Sequence, residues 1–273
     1  VHAVEKNENA VITLRNRVRC EDYFSEVEVF LGDMRHWEPT CKVDVLVSEL
    51  LGSWGDNELS PECLDGALHC LKADGACIPC AYTSYIAPIS AAKVWMASRE
   101  VLQGKGLGTP YVVNLHSCFY LCEESKPLFT FTHTGCSGRS ENFDVNAGSD
   151  DKQAKTRAGA STNQTRNARF ETVTFQALNS GTMHGMAGSF EATLYGDIFI
   201  SIRPESHTPG MFSWFPMFVP FTTPVSVQAG QDIEVSVWRC IDRNKVWYEW
   251  CTTKPRMSAV QNSCGKFSSV GLL

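Results

Sequence analysis

VDVLVSELLGSWGDNELSPECLDGALHCLKADGACIPC, residues 43–80, carries the pattern that decides the fold. It opens on Val43–Val47, a short apolar run of the kind a buried parallel strand shows. An irregular connection, SELLGSWGDNE, follows it. Ser60-Pro61-Glu62 then starts a helix: Ser60 can cap free N–H groups, Pro61 suits the first turn, and Glu62 meets the positive end of the dipole. Cys63, Leu64, Ala67, Leu68 and Leu71 share one face of that helix, and Asp74-Gly75 ends it. GACIPCAYTSYIAPI continues as a strand. Strand, helix and strand at these lengths predict a βαβ unit, hence an α/β sheet with parallel strands.

Working outward, VHAVEKNENAV at the start reads as the end of a strand running into a helix, and Val27–Leu31 (VEVFL) as another strand before the polar loop GDMRHW. Residues 1–86 are therefore expected to form a partial Rossmann-like α/β sheet. A short helix over Ala92–Leu102 leads into a different texture. From Tyr111 on, segments such as LFTFTHT, RFETVTFQAL, GSFEATLYGDIFISI, QDIEVSVWRC and KVWYEWCTT are short, β-branched or aromatic, and separated by Gly, Pro, Asn and Asp. They predict an antiparallel β-barrel over residues 87–273. Inside it, Thr134 to Arg169 holds almost no large apolar residue. That stretch cannot bury enough surface to offset its ordering, so a disordered insertion is expected at 134–169.

Composition narrows the function classes. With 24 Lys and Arg against 30 Asp and Glu, the formal charge is -6, which argues against direct, non-specific nucleic-acid binding. A mild negative balance suits cationic substrates. No run of about 18 apolar residues is present, so no membrane-spanning segment is expected. Twelve cysteines sit mostly in apolar runs, where free Cys behaves as a small hydrophobe; Cys77 and Cys80 lack the second pair or the histidines that a zinc site needs, and no metal is expected.

In open parallel sheets, ligands bind at the carboxyl ends of the strands. Glu5 follows the apolar HAV, where an acid commonly accepts ribose hydroxyls; Asp33 with Met34 follows the next strand, where such a pair can bind an adenine amino group and face; Glu49 follows the third, and Glu58 closes the same loop. Successive strand ends carrying acids point to an adenosine-type cofactor. Gly52 and Gly55 give the Glu49–Glu58 loop backbone freedom, and Trp54 is an apolar ring that a solvated loop would not need. Two carboxylates at the ends of one loop can grip a planar guanidinium from two sides. The alternative on spacing alone is that one carboxylate caps the following helix while the other makes a surface ion pair.

SELLGSWGDNELSPECLDGA closely resembles the double-glutamate loop of the protein arginine methyltransferases, and within them the type II members that make symmetric dimethylarginine. AVEKNENAV, DMRHW, YTSYIAPIS, SIRPESHTPGMFSWFP and KVWYEW resemble further blocks of that subfamily in the same order. The resemblance implies S-adenosylmethionine as cofactor, with Glu5 on its ribose and Asp33 and Met34 on its adenine. It implies Glu49 and Glu58 as the catalytic clamp on the substrate arginine, and Phe212, Ser213, Trp214 and Phe215 as the wall of the arginine channel. Ser213 stands where asymmetric-dimethylating relatives carry a bulkier His, which implies room to methylate the second nitrogen. The implied reaction is an SN2 transfer of methyl from the sulfonium to a guanidinium nitrogen. Implied substrates are Arg/Gly-rich proteins such as histone tails and spliceosomal proteins. A homo-oligomer, a WD-repeat adaptor docked on a domain this chain lacks, and a cytoplasmic and nuclear location are implied too.

The chain starts at Val1 with neither a basic nor an apolar leader, so no secretory signal is expected. The family's Gly-rich cofactor turn, and the Phe that helps dictate symmetric product, are expected upstream of it. Two other readings stay open on the residues. One is a catalytically incomplete piece serving only interaction or dimerisation. The other is a glycosidase carboxyl pair at Glu49 and Glu58, disfavoured by the acids at the other strand ends.

Overall fold

A computed structural model of the chain describes residues 1–101, 106–135 and 166–272. The expected insertion at 134–169 falls, for residues 136–165, outside the described residues.

The first part alternates strand and helix. Strand β1 (His2–Glu5) feeds helix α1 (Glu8–Cys20), which Asn7 caps by accepting from the backbone N–H groups of Asn9 and Ala10. Strand β2 (Glu28–Leu31) returns parallel to β1, in a register that sets Glu5 beside Leu31. Strand β3 (Val43–Val47), helix α2 (Ser60–Ala67) and strand β4 (Leu71–Ile78) make the expected βαβ unit, with β3 and β4 parallel.

Three details of that unit differ from expectation. Helix α2 ends at Ala67 rather than at Asp74-Gly75, because Leu71 onward pairs with β3 as strand. Ser60 is not the cap: the N-cap is Leu59, held in the left-handed region at φ 67° with no side-chain bond. GACIPCAYTSYIAPI is two strands. It divides after Ile78, where β4 stays with β3, and strand β5 (Ala81–Ser90) enters an antiparallel sheet.

Helix α3 (Ala92–Glu100) follows β5, and after it come strands β6 (Tyr111–Val112), β7 (Phe119–Tyr120), β8 (Lys126–Thr132), β9 (Arg169–Gln176), β10 (Gly181–Tyr195), β11 (Ile198–Ser201), β12 (Met217–Val227), β13 (Asp232–Ile241), β14 (Lys245–Lys254) and β15 (Val270–Gly271). They form two antiparallel sheets. One runs β6-β12-β10-β5-β7, with β8 also on β5 and β11 on β10; the other runs β15-β14-β13-β9. Among the described residues no ladder closes them into the expected single barrel. The edges β6, β7 and β15 are two residues each, and the longer edge strands β8 and β9 belong to different sheets with no ladder between them.

The sheets instead share one core. Met186, Phe190 and Phe221 of the larger sheet pack in one buried cluster with Val235, Val237 and Trp250 of the smaller, and Leu51, Trp54 and Leu64 join it. β5 is buried along nearly its whole length, which is why AYTSYIAPI reads as a continuous run rather than an alternating one.

Candidate active site

The Glu49–Glu58 loop leaves the carboxyl end of β3 and turns back into α2. It is fastened into the core rather than laid on the surface. Gly52 and Gly55 bond each other's backbone in both directions, at 3.1 and 2.8 Å, and Gly55 takes φ 80°, which a side chain would strain. That tight turn drives Trp54 inward to full burial, where its indole Nε1 donates to the Tyr85 carbonyl at 2.9 Å. Gly188 of β10 makes room for it: a methyl group there would stand 3.0 Å from the indole.

Four acids follow from this geometry, in two classes. Asp56 is fully buried; its Oδ2 accepts from Arg239 Nε at 2.6 Å and the Tyr248 hydroxyl at 2.5 Å, and its Oδ1 from the Ser84 hydroxyl. Glu62, in the first turn of α2, accepts from Arg239 at 2.7 and 2.9 Å, so it serves an ion pair in addition to any helix-dipole role. Burial works against the Arg239 charge, yet Tyr248, Glu62 and Asp56 outweigh it and hold the guanidinium firmly protonated. Burial first, and then the Asp56 charge, push the Tyr248 hydroxyl well up, so it remains a donor.

Glu49 and Glu58 are the other class. Both are exposed, and among the described residues neither carboxylate has a hydrogen-bond or ion-pair partner. Burial, and then the charge of Glu49, push the Glu58 carboxyl up. The two groups are thus close enough to repel, at the mouth of a loop that the core holds still. That arrangement attracts a cation that can donate hydrogen bonds to both.

Glu5 and Asp33 follow β1 and β2, which pair only with each other, as β3 and β4 do, so among the described residues the expected single sheet is two two-stranded parallel pieces. Glu5 ends β1 with its Oε1 accepting from the Asn7 backbone at 2.6 Å. Asp33 follows β2 and is engaged by Arg35, whose backbone N and Nε reach Oδ1 at 2.9 Å and whose Nη2 reaches Oδ2 at 2.6 Å; this holds the Asp33 carboxyl well below the usual range. Lys6 Nζ also stands 3.6 Å from Asp33 Oδ2, while Glu5 keeps its second oxygen without a hydrogen bond among the described residues. These residues fit the adenosine part of a cofactor. Met34 packs against the core cluster. Helix α2 looks onto the same acids. A methyl group at Gly66 would strike Arg35 at 2.6 Å, and the Cys63 thiol is pushed up by burial, with Arg35, Asp33 and Glu62 acting on it next.

From the antiparallel side, Trp214 meets the loop: its indole Nε1 donates to the Leu51 carbonyl at 2.7 Å, and its ring stands edge-on to Phe190. Phe212, Ser213 and Phe215 are exposed, with Phe212 at 85%. The Asp56–Arg239–Tyr248–Glu62 network went unrecognised in the sequence, although one signal was there. Ile233, Val235, Val237 and Ile241 are the inward residues of β13, and Arg239 falls on their parity.

Residues 1–78 match the family model described as PRMT5 arginine-N-methyltransferase, and residues 81–270 the one described as PRMT5 oligomerisation domain. Protein arginine N-methyltransferase 5 of Xenopus laevis is 43% identical, aligned over 100% of this chain and 40% of its own length. The Oryza sativa subsp. japonica protein of the same name is 44% identical over 100% of this chain and 38% of its own, and skb1 of Schizosaccharomyces pombe is 41% identical over 91% and 38%. The chain thus spans about two fifths of the length of these relatives. Among solved structures, a Trypanosoma brucei PRMT1 enzyme–prozyme heterotetrameric complex with AdoHcy aligns with a TM-score of 0.67 at 14% identity, covering 96% of this chain and 80% of that one. Arabidopsis thaliana protein arginine methyltransferase 10 aligns at 0.65 and 13% identity, covering 96% and 81%. At such identities the likeness speaks to fold alone, which is that of these Rossmann-like methyltransferase structures.

Proposed function

The chain belongs to the PRMT5 family of protein arginine methyltransferases, and on that premise we propose that it is the catalytic part of an S-adenosylmethionine-dependent enzyme methylating protein arginines. The observation that carries this reading is the pair Glu49 and Glu58, exposed and unpartnered among the described residues at the two ends of a loop whose remaining acid, Asp56, is buried and paired.

When bound, S-adenosylmethionine supplies an electrophilic methyl on a sulfonium sulfur. Glu5 and Asp33 would hold its ribose and adenine, with Met34 beside them. Glu49 and Glu58 bind the substrate guanidinium from two sides, offset its charge, and aim one nitrogen toward the methyl, so their share is orientation and charge placement. Phe212, Ser213, Trp214 and Phe215 would wall the arginine channel; the Trp214 bond to Leu51 ties that wall to the clamp loop. The two antiparallel sheets would play the part of the family's barrel, carrying substrate contacts and homo-oligomer formation. A division at residues 86 and 87 would cut β5, so the boundary proposed between the two parts lies instead between Ile78 and Ala81, where β4 ends and β5 joins the antiparallel sheet.

The product would be symmetric dimethylarginine, on Arg/Gly-rich proteins such as histone tails and spliceosomal proteins, in cytoplasm and nucleus, with a WD-repeat adaptor engaged elsewhere in the full-length protein. The test is mass spectrometry of an arginine-rich histone-tail peptide after incubation with the full-length protein and S-adenosylmethionine. Symmetric dimethylarginine is the expected product. Cofactor binding without any methylated arginine would contradict the reading and leave the chain an assembly module.

A further inference from the structure

Glu58 lies two residues after Asp56 and four before Glu62, and both of those acids are held by one side chain, Arg239, reaching in from β13 of the smaller antiparallel sheet. Its five N–H donors all find acceptors: Nε on Asp56 Oδ2 at 2.6 Å, Nη2 on the Asp56 carbonyl at 3.3 Å and Glu62 Oε2 at 2.9 Å, Nη1 on Glu62 Oε1 at 2.7 Å and the Asn167 carbonyl at 3.0 Å. The guanidinium therefore brackets Glu58, fixing the backbone before it through Asp56 and the helix after it through Glu62. Tyr248, on the neighbouring strand β14, completes the hold by donating to the same Asp56 oxygen.

We propose that Arg239 is a positioning residue for the reaction: with Asp56, Glu62 and Tyr248 it sets the aim of Glu58, and so couples the antiparallel sheets to the clamp. The inference rests on the clamp reading and deepens it. An enzyme could fasten a loop of this kind by apolar packing alone, and Trp54 already does so at one end. Arg239 acts at the other end, where the orientation of a carboxylate matters more than its burial. Only a planar fork of donors reaches both acids together; a Lys is a point charge with three donors and holds one of them.

The experiment compares Arg239→Lys, Tyr248→Phe and Glu49→Gln in the full-length protein, reading kcat, KM for S-adenosylmethionine and far-UV circular dichroism. Folded Arg239→Lys should lose kcat by about tenfold or more with its cofactor KM unchanged, since a misaimed group reduces turnover rather than adenosine binding. Tyr248→Phe, which keeps the ring and removes one donor to Asp56, should lose about fivefold. If Arg239→Lys folds and its kcat stays within about twofold of the parent, the proposal is wrong. If Arg239→Lys does not fold, Tyr248→Phe decides in the same way. Glu49→Gln separates the two failures. Full activity there overturns the clamp itself, whereas its loss beside a normal Arg239→Lys overturns only the positioning role.

Discussion

Glu49, Asp56, Glu58 and Glu62 are four carboxylates within one short stretch, and their surroundings divide them. Asp56 and Glu62 are both paired with Arg239, while Glu58 is pushed up by burial and by Glu49. Replacing Glu49 by Gln removes the second of those causes and leaves the first. The Glu58 carboxyl should then titrate lower than in the parent, yet still above an ordinary Glu. Side-chain carboxyl NMR measures this, and an unchanged titration would mean the two groups do not interact. The sign for stability follows. A carboxyl raised in the folded state binds its proton more tightly there than in the unfolded chain. Glu58 therefore opposes folding increasingly as pH climbs from the ordinary Glu value through its raised one, and the opposition is relieved on acidification. Guanidinium binding, which needs the carboxylate, should fall away on the acid side at a higher pH than for an ordinary Glu. Positions such as Glu49, at the end of an apolar run, are legible in a sequence. The partner of Asp56 is not, because 183 residues separate it from Arg239 and no local pattern links them.

At the scale of elements, the loop behaves as a piece of core with a charged rim. Truncating Trp54 to Ala should cost about 3–5 kcal/mol, because a fully buried aromatic is lost and the cavity cannot collapse. A denaturant midpoint close to the parent's would show that the loop is not fastened this way. Trp214→Phe is a gentler change. It removes the bond to the Leu51 carbonyl and shrinks a half-buried ring, so it should leave the melting temperature within a few degrees while lowering kcat several-fold. Equal activity of the two proteins would uncouple the FSWF segment from the clamp. The βαβ unit was readable from periodicity, but its boundaries were not. The α2 face, Cys63 through Leu71, continues past the point where Leu71 is captured by β3, and pairing with a neighbouring strand overrides local helical spacing. The break between β4 and β5 was hidden likewise, since both strands are apolar and only their partners differ.

Taken whole, the molecule keeps its antiparallel sheets well covered and its parallel strands less so. Val45 and Val47 of β3 are 48% and 72% exposed, and Leu31 of β2 is 50% exposed, although parallel strands are ordinarily buried on both faces. This 273-residue chain on its own should self-associate through that surface, and light scattering should show mass growing with concentration. A monodisperse monomer would show that the surface tolerates water. The passage from parallel to antiparallel strands was legible in strand texture and turn residues, but its position was not: the antiparallel sheet begins at Ala81, ahead of the change in texture near Tyr111. Closure of the sheets was not legible, since alternation assigns residues to a face but does not say which strand edges pair. The central claim is that Glu49 and Glu58 together hold the substrate arginine. Its most direct test is the rate of methyl transfer by full-length Glu49→Gln and Glu58→Gln proteins, with circular dichroism beside it. Each should fold as the parent does and lose roughly 100-fold or more in kcat/KM; near-parental rates from either would contradict the account.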